Sequence, residues 1–105
     1  MPPFYRLDKF IVPEAAREEF LPRLHASREF LRKLPGFVRD FVMEQNPGTG
    51  VRHYVAFAEW TDAAALDVAC AAIPDWHQSR PVDWQEMNKR LGIQSDSRNY
   101  FPLAV

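Results

Sequence analysis

From Asp75 to Arg80 the chain reads Asp-Trp-His-Gln-Ser-Arg, a stretch dense in side chains able to do chemistry. His77 could serve as a base, because an unperturbed imidazole titrates at about 6.5. Arg80 could hold an enolate or a carboxylate. Trp76 beside them offers a flat apolar surface. The competing interpretation is an exposed polar loop with Trp76 tucked under it. A second group sits upstream, where Arg52, Tyr54, Ala56, Ala58 and Trp60 alternate along one strand face. Small residues between aromatic ones leave room, and room beside polar tips is how ligand pockets are built. Small residues also let a helix pack closely on a sheet. Tyr54, Arg52, Trp76 and Trp84 are the candidate substrate contacts.

Other reactive side chains read as structural. His53 alternates with Val51, Val55 and Phe57, on the face opposite Tyr54, and His25 lies beside Leu24 in a helical segment. Cys70 is the only cysteine, so no internal disulfide or Cys-rich zinc site is available, and inert packing is the expectation. No pair of His or acidic residues has zinc-ligand spacing, and no metal or cofactor is expected. Gly48 and Gly50 join strands instead of opening a helix, so they form no phosphate loop. Pro2, if freed by loss of Met1, would match the base of the tautomerase superfamily. Pro3 follows at once, however, and the strand–helix spacing fits that family poorly.

The elements that must position these groups are legible from periodicity. Residues 4–12 read as a strand with Arg6 and Asp8 on one alternating face. Residues 14–34 carry Ala16, Phe20, Leu24, Ser27, Leu31 and Leu34 at steps of three or four, which puts an apolar stripe on one helix face. Pro22 inside this segment predicts a kink or a restart. Leu34-Pro35-Gly36 is a stop signal. Residues 37–45 and 51–60 then form an antiparallel hairpin around the turn at residues 46–50. Thr61 or Asp62 caps a second helix, expected to end near Ile73 before Pro74. Asp83 and Glu86 have capping-box spacing for a short helix stopped by Gly92. Residues 100–105 read as a final strand, apolar on both sides.

This order predicts one α+β domain over residues 1–105, ferredoxin-like βαββαβ, with a four-stranded antiparallel sheet and helices on one face. The opposite face, carrying Val51, Val55 and Phe57, needs a cover. A second copy of the same sheet is the simplest one, giving a twofold homodimer. The net charge of −1 shows no basic stripe for nucleic acid. No apolar run reaches the roughly 20 residues that cross a bilayer, and the N-terminus lacks a hydrophobic signal core. A reduced, cytoplasmic protein with a small-molecule partner is expected.

Pro13-Glu14, Leu34-Pro35-Gly36-Phe37 and Phe57-Ala58-Glu59-Trp60-Thr61-Asp62 resemble the antibiotic biosynthesis monooxygenase family of dimeric α+β barrels. The likeness spans roughly residues 5–80. It implies small oxygenases that often use no metal or flavin, in which an acidic phenol or quinol loses a proton and its carbanion meets dioxygen. The protein supplies a dry pocket, a proton acceptor and charge stabilisation. By this resemblance Trp60 and Arg80 match pocket-lining positions, and the catalytic candidates are His77, Arg80 and Trp60. The family's Asn four residues before that Trp is Ala56 here, and its Tyr early in helix two is Leu66. A haem-degrading branch needs an Asn on the first strand and a Trp within helix two. Here the first strand has no Asn, and helix two has Ala69 and Cys70 where the Trp would fall, although His77 lies near the place of that branch's His ligand. The alternative function is a non-catalytic dimer that binds a small ligand.

Overall fold

The computed structural model describes residues 2–80 and 83–104. Strand β1 (Phe4–Pro13) is followed by a 3-10 turn (Glu14–Ala16) and helix α1 (Arg17–Arg32). The hairpin of β2 (Phe37–Gln45) and β3 (Val51–Trp60) comes next, then α2 (Ala63–Ser79), α3 (Trp84–Leu91) and β4 (Gln94–Tyr100). The four strands form one sheet in the order β2-β3-β1-β4, every neighbouring pair antiparallel. This is the ferredoxin-like α+β fold expected from the element order, with α3 added before the last strand.

Local chemistry sets the element ends. Asp62 caps α2 by accepting from the Ala65 amide at 2.8 Å. Asp83 caps α3 by accepting from the Gln85 and Glu86 amides. Gly36 is required by its place: its φ is +81°, and a Cβ there would lie 2.4 Å from the Ala65 Cβ. Its carbonyl accepts from the Thr61 amide at 2.8 Å, which ties the entry of β2 to the exit of β3.

Three expected boundaries are corrected. The final strand is Gln94–Tyr100, not residues 100–105; residues 101–104 leave the sheet with Phe101 and Leu103 exposed, and Val105 lies outside the described residues. The strand reads Gln-Ser-Asp-Ser-Arg-Asn-Tyr, so no apolar alternation marks it. β4 is an edge strand, for which polar residues are usual. Helix α2 does not stop before Pro74 but continues to Ser79, so residues 75–79 form its last turns and not a loop. Helix α1 runs through Pro22 without the restart that was one of the two outcomes expected there. The change of helical form comes earlier, between the 3-10 turn and Arg17.

Register fixes the two faces. Arg6 pairs with Ala58, Asp8 with Ala56 and Phe10 with Tyr54, so these share the helix-covered face. Ser95, Ser97 and Asn99 of β4 oppose Phe10, Asp8 and Arg6 and join them there. The other face carries Leu7, Ile11, Val51, His53, Val55 and Phe57, and no helix covers it. Tyr5, Phe57 and Phe41 stack across three strands on it, with centroids 5.2 and 5.6 Å apart. The result is a slab 42 × 37 × 17 Å in extent. Under the helices the apolar core has two clusters, one around Phe20, Val12 and Ala56, the other around Trp60, Leu66 and Ala58. Among the described residues no helix is long and apolar enough to cross a membrane.

Candidate active site

A cavity of about 210 Å³ opens between the β1–β4 side of the sheet and all three helices. The sheet supplies Arg6, Asp8, Phe10, Ser95 and Ser97 as its floor. Helix α1 supplies Arg23, Leu24 and Arg28, α2 supplies Ile73, Trp76 and His77, and α3 supplies Trp84 and Asn88. The extension of α2 past Pro74 is what brings Trp76 and His77 to this place. The aromatic wall is continuous: Phe30 stacks on Trp76 at 4.5 Å, Trp76 meets Trp84 edge-on at 5.1 Å, and His77 lies 5.0 Å from Trp84.

His77 lies against these rings at the cavity rim, where the residue is still exposed, and partial desolvation first, then the charges of Arg23 and Arg6, push its pKa below the usual 6.5. It is therefore neutral at pH 7 and can accept a proton. Arg80, which caps the C-terminus of α2, lies with its guanidinium carbon 5.2 Å from the Trp76 ring and 6.0 Å from Trp84. It lines an outer lobe of about 550 Å³ that shares Ile73, His77, Trp84 and Gln85 with the inner cavity.

Beneath the cavity lies a buried ion network. Arg28, 3% exposed, donates from Nε to Asp40 at 3.0 Å, and its Nη1 reaches Asp8 at 3.5 Å. Arg28 Nη2 adds a 3.4 Å bond to the Phe57 carbonyl. Arg6 Nε approaches Asp8 Oδ1 at 3.3 Å, a charge contact without hydrogen-bond geometry, and its Nη1 points to the Cys70 sulfur at 3.4 Å. Each partner makes burial of the other tolerable.

The structure thus brings Trp76, His77 and Trp84 together, with Arg80 at the outer lobe. It does not bring Trp60, Tyr54 or Arg52 to them. Trp60 is fully buried beside Leu31, Leu66 and Ala69, and Phe37 meets its ring edge-on at 5.6 Å. Its indole Nε1 has no hydrogen-bond partner among the described residues. The space beside Ala58 is filled by α2, as close helix packing on small residues allows. Tyr54 shares the face but belongs to another cluster: its hydroxyl bonds Glu44 and accepts from Arg17 Nε at 3.0 Å. Burial, then the Glu44 contact, raise its pKa above the ordinary phenol value, so it is no ready base. Arg52 is held by Glu14 at 2.7 Å and Glu44 at 3.2 Å in the same cluster.

Four charged residues of the cavity were not singled out from the sequence as site candidates, namely Arg6, Asp8, Arg23 and Arg28. A signal existed for each. Arg6 and Asp8 alternate with Phe4 and Phe10 on one strand face, and Arg28 falls between Leu24 and Leu31 on the apolar stripe of α1. Arg23 stands three residues after the buried Phe20. Among the described residues no group of three or more His, Cys, Asp or Glu could hold a metal ion.

Residues 3–82 match the antibiotic biosynthesis monooxygenase family. The chain belongs to that family. No curated protein matches the sequence, but solved structures are similar over its whole length. One is a mutant of SnoaB, a cofactor-independent oxygenase from Streptomyces nogalater, 21% identical with a TM-score of 0.69. The match covers 100% of this chain and 97% of that one. Another is a dimeric ferredoxin-like protein from an uncultured marine organism, 13% identical with a TM-score of 0.75, covering 100% and 99%. A third is the ActVA-Orf6 monooxygenase of Streptomyces coelicolor in complex with nanaomycin D, 19% identical with a TM-score of 0.62, covering 97% and 88%. At these identities the likeness establishes the family fold.

Proposed function

We propose that the protein is a cofactor-independent monooxygenase acting on an aromatic, quinol or polyketide-like molecule in the cavity between sheet and helices. The observation that carries this reading is His77, set at the exposed rim of an aromatic-walled cavity against Trp76 and Trp84, where its imidazole is neutral at pH 7. A substrate ring stacks against Trp76 and Trp84, and His77 removes a proton from an acidic phenol or from a methylene made acidic by its ring. Arg80, from the outer lobe, stabilises the resulting anion. The anion transfers an electron to dioxygen, the two radicals combine, and the hydroperoxide loses water. A methylene plus dioxygen thus gives a carbonyl plus water, and the substrate supplies every electron. Oxygen uptake with a panel of anthrones and quinols tests this. One dioxygen consumed per carbonyl formed is the expected result.

The second reading is a dimer of the same fold that binds a small ligand without turnover. Ala56 and Leu66, at positions where the family resemblance has an Asn and a Tyr, are both 0% exposed in the core. Neither offers a polar group to substrate. Ligand binding without oxygen uptake would select this reading.

In either case the working unit is a homodimer joined through the uncovered sheet face. The accessible surface is 6774 Å², against roughly 6,100 Å² for a compact monomer of this mass. The excess fits a flat slab whose aromatic face awaits a partner sheet. Light scattering should report twice the 12.2 kDa chain mass. Phe57→Asp should shift it toward the single-chain value, because the interface would bury an unpaired charge.

A further inference from the structure

Three guanidiniums line the cavity, Arg6, Arg23 and Arg28, against one carboxylate, Asp8. Two of them are already compensated. Arg28 is shared between Asp40 and Asp8, and Arg6 faces Asp8. Arg23 differs. Among the described residues it has no acidic partner, and its only hydrogen bond runs from Nη1 to the amide oxygen of Asn88. Its guanidinium carbon lies 5.1 Å from the Trp84 ring, 5.7 Å from Phe20 and 5.8 Å from Phe10. Aromatic faces therefore hold the plane of the cation, while Nε and Nη2 find no acceptor among the described residues. Burial lowers its pKa to about 10, which leaves it charged at neutral pH.

We infer that the cavity selects aromatic molecules bearing a carboxylate, which the Nε–Nη2 edge of Arg23 receives as a two-pronged partner. This rests on reading the cavity as the substrate site and names the substrate class. A partly buried cation without a counter-ion is unfavourable, and an incoming carboxylate supplies the missing charge. The planar fork of a guanidinium matches a carboxylate in two parallel bonds. With the anion seated there, the attached ring lies along the Trp84 and Trp76 wall, on the side of His77. Asn88 fixes the other edge of the fork and so acts as a positioning residue.

Isothermal titration with 2-naphthoate and with 2-naphthamide, its neutral counterpart of the same shape, tests the assignment. Wild-type protein should bind the naphthoate at least about tenfold more tightly, the usual scale of a charge-assisted pair. Arg23→Gln should bring naphthoate down to the naphthamide level and leave naphthamide within about twofold. The wild-type ratio stands even if that variant folds poorly. Equal affinity in wild type, no binding of either compound, or a preference that survives in a folded Arg23→Gln protein would overturn the proposal. Binding is read without turnover, so the two readings fail separately. Naphthoate preference without oxygen uptake on any substrate removes only the oxygenase reading. Uptake on neutral quinols with no naphthoate preference removes only this one.

Discussion

Two regions on the covered face of the sheet start from the same ingredients and end differently. At the β2–β3 side, Trp60 and Phe37 stand beside Ala58, and α2 descends onto them until nothing is left open. At the β1–β4 side, Trp76, Trp84, Phe10 and Phe30 surround a cavity of about 210 Å³. Aromatic and small residues occur in both. The difference is polar. The closed side keeps its ions paired, Arg28 with Asp40 of β2, and among the described residues the one buried side-chain atom there without a partner is the indole nitrogen of Trp60. The open side has serines along β4, three guanidiniums and one carboxylate, which keep the helices from collapsing onto the sheet. Space beside a small residue survives where groups that cannot be buried dry hold it open.

The largest expected effect tests the open side. His77→Gln should lower turnover by about 10²- to 10⁴-fold, the usual contribution of a positioned base. Naphthoate affinity should change little, because Arg23 and the tryptophans carry binding. Initial-rate oxygen uptake with parallel titration separates the two. A loss of affinity equal to the loss of rate would make His77 a wall residue and not a base.

The closed side is tested next. Trp60→Ala should cost about 3–5 kcal/mol of stability, as for other buried large-to-small changes, whereas Trp60→Phe should cost much less. Phenylalanine keeps most of the ring and removes an indole N–H that has no acceptor. Denaturant unfolding measures both. If Trp60→Phe instead abolished ligand binding while leaving stability alone, the cavity would have to reach Trp60, and the contrast between the two sides would fail.

These two regions also show what the sequence could and could not disclose. The order of strands and helices, the Asp83 cap, the Gly36 stop and the two sheet faces were readable, because period, turn chemistry and capping are local, while the choice between Thr61 and Asp62 for the other cap needed the structure. Trp76, His77 and Trp84 are recognisable as candidates from their types, and Trp84 falls in the short capped helix expected for it, but Pro74 predicts a helix end and so puts Trp76 and His77 on a loop. A proline removes one hydrogen bond, and tertiary packing held the helix together across it. Tyr54 and Trp60 were grouped with them because they share a strand face. A shared face does not say which helix covers which end. The polar edge strand was missed for a related reason: Ser95 and Ser97 line a cavity, so the inward face of β4 carries none of the apolar signal that marks a core strand.

A third, smaller effect concerns pH. The His77 pKa lies below 6.5, so kcat/KM should be flat through neutrality and should fall about tenfold per unit only below that lowered value. The sign follows from the base being active only when deprotonated. Arg23→Gln should move this acid limb part of the way back toward 6.5. It removes one positive charge but leaves the burial that is the larger cause. A limb that does not move would mean that Arg23 and His77 do not share the site.

The smallest effect is expected at Tyr54. Its hydroxyl belongs to a cluster with Arg17, Glu44, Arg52 and Glu14 at the edge of the slab, and that cluster is well compensated. The Glu44 carboxyl is held down at about 2, first by Arg17 and then by the Tyr54 hydroxyl. Arg52 is shared between Glu14 and Glu44. Tyr54→Phe removes a donor to Glu44 and an acceptor from Arg17, but it keeps the ring packed 5.1 Å from Phe20. Both charged partners are partly exposed and still face each other at 2.8 Å, so water and the remaining ion pair replace what is lost. A stability cost of about 1 kcal/mol follows, typical of one hydrogen bond. Naphthoate binding and oxygen uptake should stay at the wild-type level. A clear drop in either would mean that the cavity communicates with the Tyr54 end of the sheet, and that the boundary drawn between an open side and a closed one lies too close to β1.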